Sequence, residues 1–114
     1  MITVVDNITY LLDSAKKNAT VTKSLLPYSG TVTIPATIEV GGVCYPVADI
    51  LDEAFMDCTA LRSVVLGENI DSVGISAFEG CTMLSRVTFN SALHMIGMQA
   101  FKGCASLVEV LLPH

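Results

Sequence analysis

At 114 residues the chain is one domain's worth of polymer, long enough for a single continuous core, with 52% hydrophobic and only 15% charged residues. Its net charge of −5, with six unclustered Lys and Arg, argues against nucleic acid, which needs a basic patch, and against a polybasic face for anionic lipid. Mean hydropathy is high at +0.62, yet the apolar residues come in short runs rather than the unbroken stretch of about 20 that a membrane helix requires.

In chain order, Ile2–Val5 and Ile8–Leu12 read as short strands around an Asp6-Asn7 turn of the kind tight hairpins use. Residues 13–18 are polar and read as a loop. Ala19–Leu26 carries the alternation Thr20, Val21, Thr22 and is expected to be a strand, followed by the turn chemistry of Pro27-Tyr28-Ser29-Gly30. Thr31–Ile34 is a β-branched run stopped by Pro35, which suits a strand end or edge. Ile38–Val40, Gly41-Gly42 and Val43–Val47 give the clearest hairpin signal. Residues 1–49 are therefore expected to form a β cap over the open first coil of the C-terminal half.

From Ile50 onward one pattern is stated three times, over residues 50–72, 73–95 and 96–114. Ala54-Phe55, Ala77-Phe78 and Ala100-Phe101 recur every 23 residues, as do Cys58, Cys81 and Cys104, then Leu61, Leu84 and Leu107, and Val64, Val87 and Val110. Leu66, Phe89 and Leu112 keep the same register, and Ile50, Val73 and Ile96 open each unit. A fixed period of this length marks a stacked repeat, because one unit cannot bury its own apolar face. Leu-x-x-Val-x-Leu should be a strand, stacking into a parallel sheet with strands about 4.8 Å apart. Ala-Phe-x-x-Cys is too short for a full helix and is expected to be one helical turn on the opposite wall. Ile70–Val73 and Leu93–Ile96 read as a second extended segment, with Gly74 and Gly97 at a tight corner.

The unit I-x-x-x-A-F-x-x-C-x-x-L-x-x-V-x-L, present as Ile50 to Leu66, Val73 to Phe89 and Ile96 to Leu112, resembles the BspA-like branch of the leucine-rich repeat superfamily. The first half resembles the segment that often precedes such repeats. The resemblance implies a β-rich α/β leucine-rich repeat solenoid. It would be a right-handed coil with a parallel sheet on one face, short helical turns on the other and an N-terminal β-hairpin cap. It also implies a secreted or surface protein of bacteria or parasitic protists, some of which are implicated in adhesion to host proteins. Asn69 fits the familiar L-x-x-L-x-L-x-x-N pattern, but Ala92 stands at the equivalent place in the second unit, so no asparagine ladder is expected.

The residues most tempting as chemistry read better as core. The three repeat cysteines fall in a row, whereas zinc requires tetrahedral convergence. They are expected to be small buried thiols, with Cys44 a strand residue of the cap. The three phenylalanines in one register are stacking residues. His94 and His114 lie near no nucleophile motif. Asp49, Asp52, Glu53 and Asp57 could suggest calcium, but the later repeats carry no such cluster, and a solvated face at a helical N-terminus is expected. No cofactor or metal signature is present, and the expected function is non-enzymatic.

The variable positions remain. Strand alternation points Ser63 and Val65, Arg86 and Thr88, and Glu109 and Leu111 outward, on the side that curved solenoids commonly use for recognition. These six are the candidate partner-binding residues. The expected partner is another macromolecule, protein before glycan. The alternative is a structural spacer within a longer array. The first ten residues lack the basic start and apolar core of a signal peptide, so the expectation is a trimmed chain of a secreted or surface protein, or a cytoplasmic one. The apolar edge at Leu107–Leu112 is expected to pair with a second copy or with further sequence.

Overall fold

The computed structural model describes residues 1–111, with the backbone alone at Leu111. Eleven strands form two sheets. The N-terminal strands are β1 (Ile2–Val5), β2 (Ile8–Asp13), β3 (Asn18–Val21), β4 (Gly30–Thr33), β5 (Thr37–Val40) and β6 (Val43–Ile50). The repeats contribute β7 (Leu61–Val65), β8 (Ser72–Val73), β9 (Arg86–Thr88), β10 (Met95–Ile96) and β11 (Glu109–Leu111).

The β1–β2 hairpin turns on Asp6 and Asn7, both left-handed with φ of 48° and 69°. Such values at two successive positions define the turn whose twist suits a two-residue hairpin. Gly41 and Gly42 do the same between β5 and β6, with φ of 58° and 78°. β6 then runs on through Asp49 and Ile50, so one strand joins the hairpin to the first repeat. It lies parallel to β3 on one side and to β8 on the other.

The repeat strands stack as the period requires. In one sheet β4, β7, β9 and β11 lie in that order, all parallel, with Val32, Val64, Val87 and Val110 in one row. In the other, Val21, Ile50, Val73 and Ile96 form the matching row. Between the sheets the core is continuous: Val32, Val64 and Val87 are buried, as are Leu61 and Leu84.

The third wall departs from the expected helical turns, for no helix occurs among the described residues. Each unit instead chains i-to-i+3 turns, such as Met56 to Glu53 and Cys58 to Phe55. Left-handed residues interrupt every would-be helix: Glu53 and Asp57, Ser76 and Gly80, Gln99 and Gly103. Turning the peptides in this way aims amides along the stacking axis. Glu53, Phe55 and Asp57 donate to Ile75, Ala77 and Glu79, while Ser76, Phe78 and Gly80 donate to Met98, Ala100 and Lys102. All six bonds run from an earlier coil to a later one.

Gly74 and Gly97 prove to be needed for close approach rather than for a special backbone angle. A Cβ on Gly97 would lie 2.5 Å from backbone atoms of Gly74 and Ile75, and one on Gly74 2.5 Å from the Asp52 amide nitrogen. Leu51 holds the equivalent place in the first unit and is 40% exposed.

Candidate recognition surface

The outward positions of the parallel sheet form two rows. Thr31, Ser63, Arg86 and Glu109 are register partners, and so are Thr33, Val65, Thr88 and Leu111. The six residues singled out from the sequence are thus brought together. Thr31 and Thr33 extend both rows by one position, and sequence reasoning missed them. Their signal was the alternation Thr-Val-Thr-Ile, which repeats the spacing of Ser63-Val64-Val65-Leu66 without the 23-residue register.

The surface is mostly neutral. Arg86 Nε donates to Glu109 Oε1 at 2.7 Å, with both side chains about half exposed. In water such a pair contributes about 0.2–1 kcal/mol, so its main effect is to cancel the charge of the row. Val65 and Thr88, half-buried, sit one row over. The result is a polar strip of Thr31, Ser63 and the Arg86–Glu109 pair, with Thr33, Val65 and Thr88 beside it.

Behind this sheet the residues tempting as chemistry are packed into ladders. Tyr28, Phe55, Phe78 and Phe101 follow one another with ring centroids 4.5, 4.8 and 5.2 Å apart. Tyr28 is thus the first rung, held by its hydroxyl, which donates to the Thr22 carbonyl at 2.7 Å and accepts from the Thr9 amide at 3.1 Å. The cysteines form a second ladder and no disulfide. Cys81 Sγ donates to the Phe55 carbonyl at 2.9 Å and Cys104 Sγ to that of Phe78 at 3.2 Å. Burial pushes the Cys81 thiol up to about 12 and raises those of Cys58 and Cys104. A thiol so raised is a poor nucleophile and a poor metal ligand. Cys44 lies exposed on β6.

The acidic residues near the first repeat disperse. Asp49 accepts from Ser72 Oγ at 2.9 Å, and Asp52 Oδ1 accepts from the Ile75 amide at 2.8 Å. They tie coil to coil, and the expected helical N-terminus is replaced by left-handed turns at Glu53 and Asp57. No group of three or more His, Cys, Asp or Glu is placed to hold a metal among the described residues. Asparagine does serve between coils, though from two registers. Asn69 Nδ2 donates to the Ala36 carbonyl at 3.0 Å, and Asn90 Nδ2 donates to the carbonyls of Gly67 and Ile70. His94 is exposed on the loop before β10.

Parallel strands stacked at a fixed period over ladders of Phe, Cys and Leu, closed by a wall of turns, are those of a leucine-rich repeat solenoid. The model of the BspA-type leucine-rich repeat region, six copies long, matches residues 45–114. The chain belongs to that family. No curated protein matches it in sequence. Among solved structures, a leucine-rich cell surface protein of Faecalibacterium prausnitzii is 31% identical with a TM-score of 0.81, covering 96% of this chain and 30% of its own. A leucine-rich repeat protein of T. pallidum is 28% identical with a TM-score of 0.82, over 99% of this chain and 50% of its own. Another from Bacteroides ovatus is 28% identical with a TM-score of 0.84, over 97% and 29%. The chain therefore spans between about a third and a half of these relatives. No helix among the described residues is long and apolar enough to cross a membrane.

Proposed function

We propose that the chain is a non-enzymatic binding module of a bacterial surface or secreted protein, recognising another protein through the outer face of its parallel sheet. One observation carries this reading: two aligned rows of variable positions lie on a four-stranded sheet, three of whose strands belong to the repeat. A rigid scaffold with variable positions on one face is how solenoids present recognition surfaces. The cell surface relative supports the location.

The test is a charge reversal, Arg86→Glu with Glu109→Arg, which preserves the pair's attraction while exchanging its polarity. Binding is measured against a panel of host extracellular proteins by surface plasmon resonance. Loss of a captured partner supports the assignment, and unchanged affinity for that partner sinks it.

A second reading, a structural spacer, is favoured by the coverage of the relatives, since this chain corresponds to part of longer molecules. A spacer would bind nothing on the panel, and doubling its coils would lengthen the molecule without creating affinity.

The last coil offers a further contact surface. Gln99, Phe101 and Gly103 hold the positions whose amides donate in the two earlier coils, and none has a backbone acceptor among the described residues. Met95 and Ile96 are 64% and 47% exposed beside them. Three donors of one sign are not self-complementary, so a second copy would have to meet this face with a different surface. Concentration-dependent light scattering measures that association, and a strict monomer at high concentration argues against it.

A further inference from the structure

The parallel sheet ends, on its N-terminal side, at β4, whose outer edge pairs with no strand among the described residues. Along a strand, the N–H and C=O groups of successive residues point to opposite sides. Gly30 and Ile34 donate inward, to Ala60 and Val65, at 2.9 Å each. Thr31 and Thr33, out of phase with them, turn their amides and carbonyls to the open side, and no hydrogen bond within the described residues takes them up.

A groove of about 520 Å³ runs along this same edge, a size within the range of ligand pockets, about 300–1,000 Å³. Ile8, Tyr28 and Val32 lie at its floor, each under a tenth exposed. The hairpin turn at Asp6-Asn7 and the segment Leu25–Pro27 line it as rims. Leu25 is 100% exposed and Leu26 75%.

We propose that this groove is a second recognition site, at the N-terminal edge of the sheet that carries the outer face, which takes an extended segment of a partner protein as a fifth strand beside β4. Main-chain hydrogen bonds to Thr31 and Thr33 supply the attachment, and one bulky apolar side chain of the segment descends onto Ile8, Tyr28 and Val32. Addition of a strand to a free edge, with side-chain pockets giving selectivity, is a recurring mode of peptide capture. The rims decide the occupant. Natural sheets shield free edges against edge-to-edge pairing, and here a second copy pairing β4 with β4 would bring two sets of rims against each other. A single strand of four residues, about 13 Å long, has no such encumbrance. Thr31 and Thr33, exposed on the outer face, favour small polar β-branched residues on either side of the apolar anchor.

The probe is a short fluorescein-labelled peptide alternating threonine with valine and leucine, beside the same peptide N-methylated at alternate amides. Anisotropy should show the first binding at least about tenfold tighter than the second, the effect of removing main-chain donors. On binding, hydrogen exchange should slow at Thr31 and Thr33 and stay unchanged at Arg86–Thr88. Thr33→Pro removes an edge donor where proline is tolerated and should weaken binding by about tenfold. Should that variant fold poorly, the N-methylated peptide tests the complementary bonds, from peptide amides to the Thr31 and Thr33 carbonyls, with the protein unaltered. Equal binding of the two peptides, no binding at about 1 mM, or protection confined to β9 and β11 would overturn the proposal. So would protection of Thr31 and Thr33 that rises with protein concentration alone, since the occupant would then be a second copy.

Discussion

Truncating Phe78 to alanine strikes the stacked core where it is most enclosed. The ring is fully buried between two others, 4.8 Å from Phe55 and 5.2 Å from Phe101, with planes within 14° and 2°. A buried Phe→Ala change costs about 3–5 kcal/mol, set by how well the site collapses. Stacked neighbours add about 0.5–1.5 kcal/mol per pair, and hydrogen-bonded backbone above and below prevents collapse, so the expected loss is about 5 kcal/mol. Whole domains hold about 5–15 kcal/mol, and the variant should be barely folded at room temperature. Phe101 is half-buried, with one stacked neighbour and an edge contact to Phe89 at 6.1 Å. The same truncation there should cost roughly half as much, about 2–3 kcal/mol. Guanidinium denaturation followed by far-UV circular dichroism gives both numbers, with tyrosine fluorescence as the second probe for a single transition. A Phe78→Ala loss below about 2 kcal/mol, or equal losses at the two positions, would mean that the coils relax independently and share no common core.

Tyr10 is fully buried, and its hydroxyl has no hydrogen-bond partner among the described residues. Tyr10→Phe should therefore stabilise the fold by about 1 kcal/mol, read as a higher denaturant midpoint with unchanged slope; destabilisation would reveal a hidden partner. Gly97→Ala should cost about 3 kcal/mol or more, because the new methyl meets backbone 2.5 Å away. Gly103→Ala, whose Cβ meets nothing nearer than 3.5 Å, should cost only the left-handed strain of about 1 kcal/mol, and thermal melts of the pair test the order. In native protein at pH 8, Ellman's reagent should modify Cys44 quickly and Cys58 and Cys81 only on unfolding, because those two are buried. The folded Cys81 thiol lies above its ordinary 9.0, so the native state holds its proton longer than the unfolded chain. Its contribution is complete below pH 9 and is lost as pH rises through about 12. Tyr10, also pushed up to about 12 by burial, acts in the same direction. Denaturant midpoints should fall with pH above 9, and a flat profile would contradict the burial of both groups.

Much of the solenoid was legible in the sequence because each core side chain meets its own copy one coil away. Phe, Cys and Val at one register must stack whatever lies between them. The segment from Val21 to Val32 obeys the same pairing but is three residues shorter than Ile50 to Val64, and so it broke the period. That shortening hid Tyr28 as a rung of the ring stack and Thr31 and Thr33 as members of the outer rows. The strand expected at Ala19–Leu26 stops at Val21, since its alternation spans only three residues and nothing packs against Leu25. The turn wall was misread for a local reason. Ala-Phe-x-x-Cys is compatible with a helix, and what prevents one is left-handed backbone at Glu53, Ser76 and Gln99, residue types that announce no such angle. Glycine at positions 80 and 103, in register with Asp57, was the one visible sign of it. For the asparagines, the expected register pointed to Ala92, while the bond is made by Asn90 two residues earlier.

The one-way hydrogen bonding of the turn wall gives the molecule a sense of time. The amides of Glu53, Phe55 and Asp57, and those of Ser76, Phe78 and Gly80, find their acceptors in the following coil, which a ribosome releases later. A nascent chain thus carries at its growing end a row of waiting donors, and each new 23-residue unit is drafted onto a surface already shaped for it. The stacking axis and the direction of synthesis coincide, so each coil completes these bonds only once the next has been made.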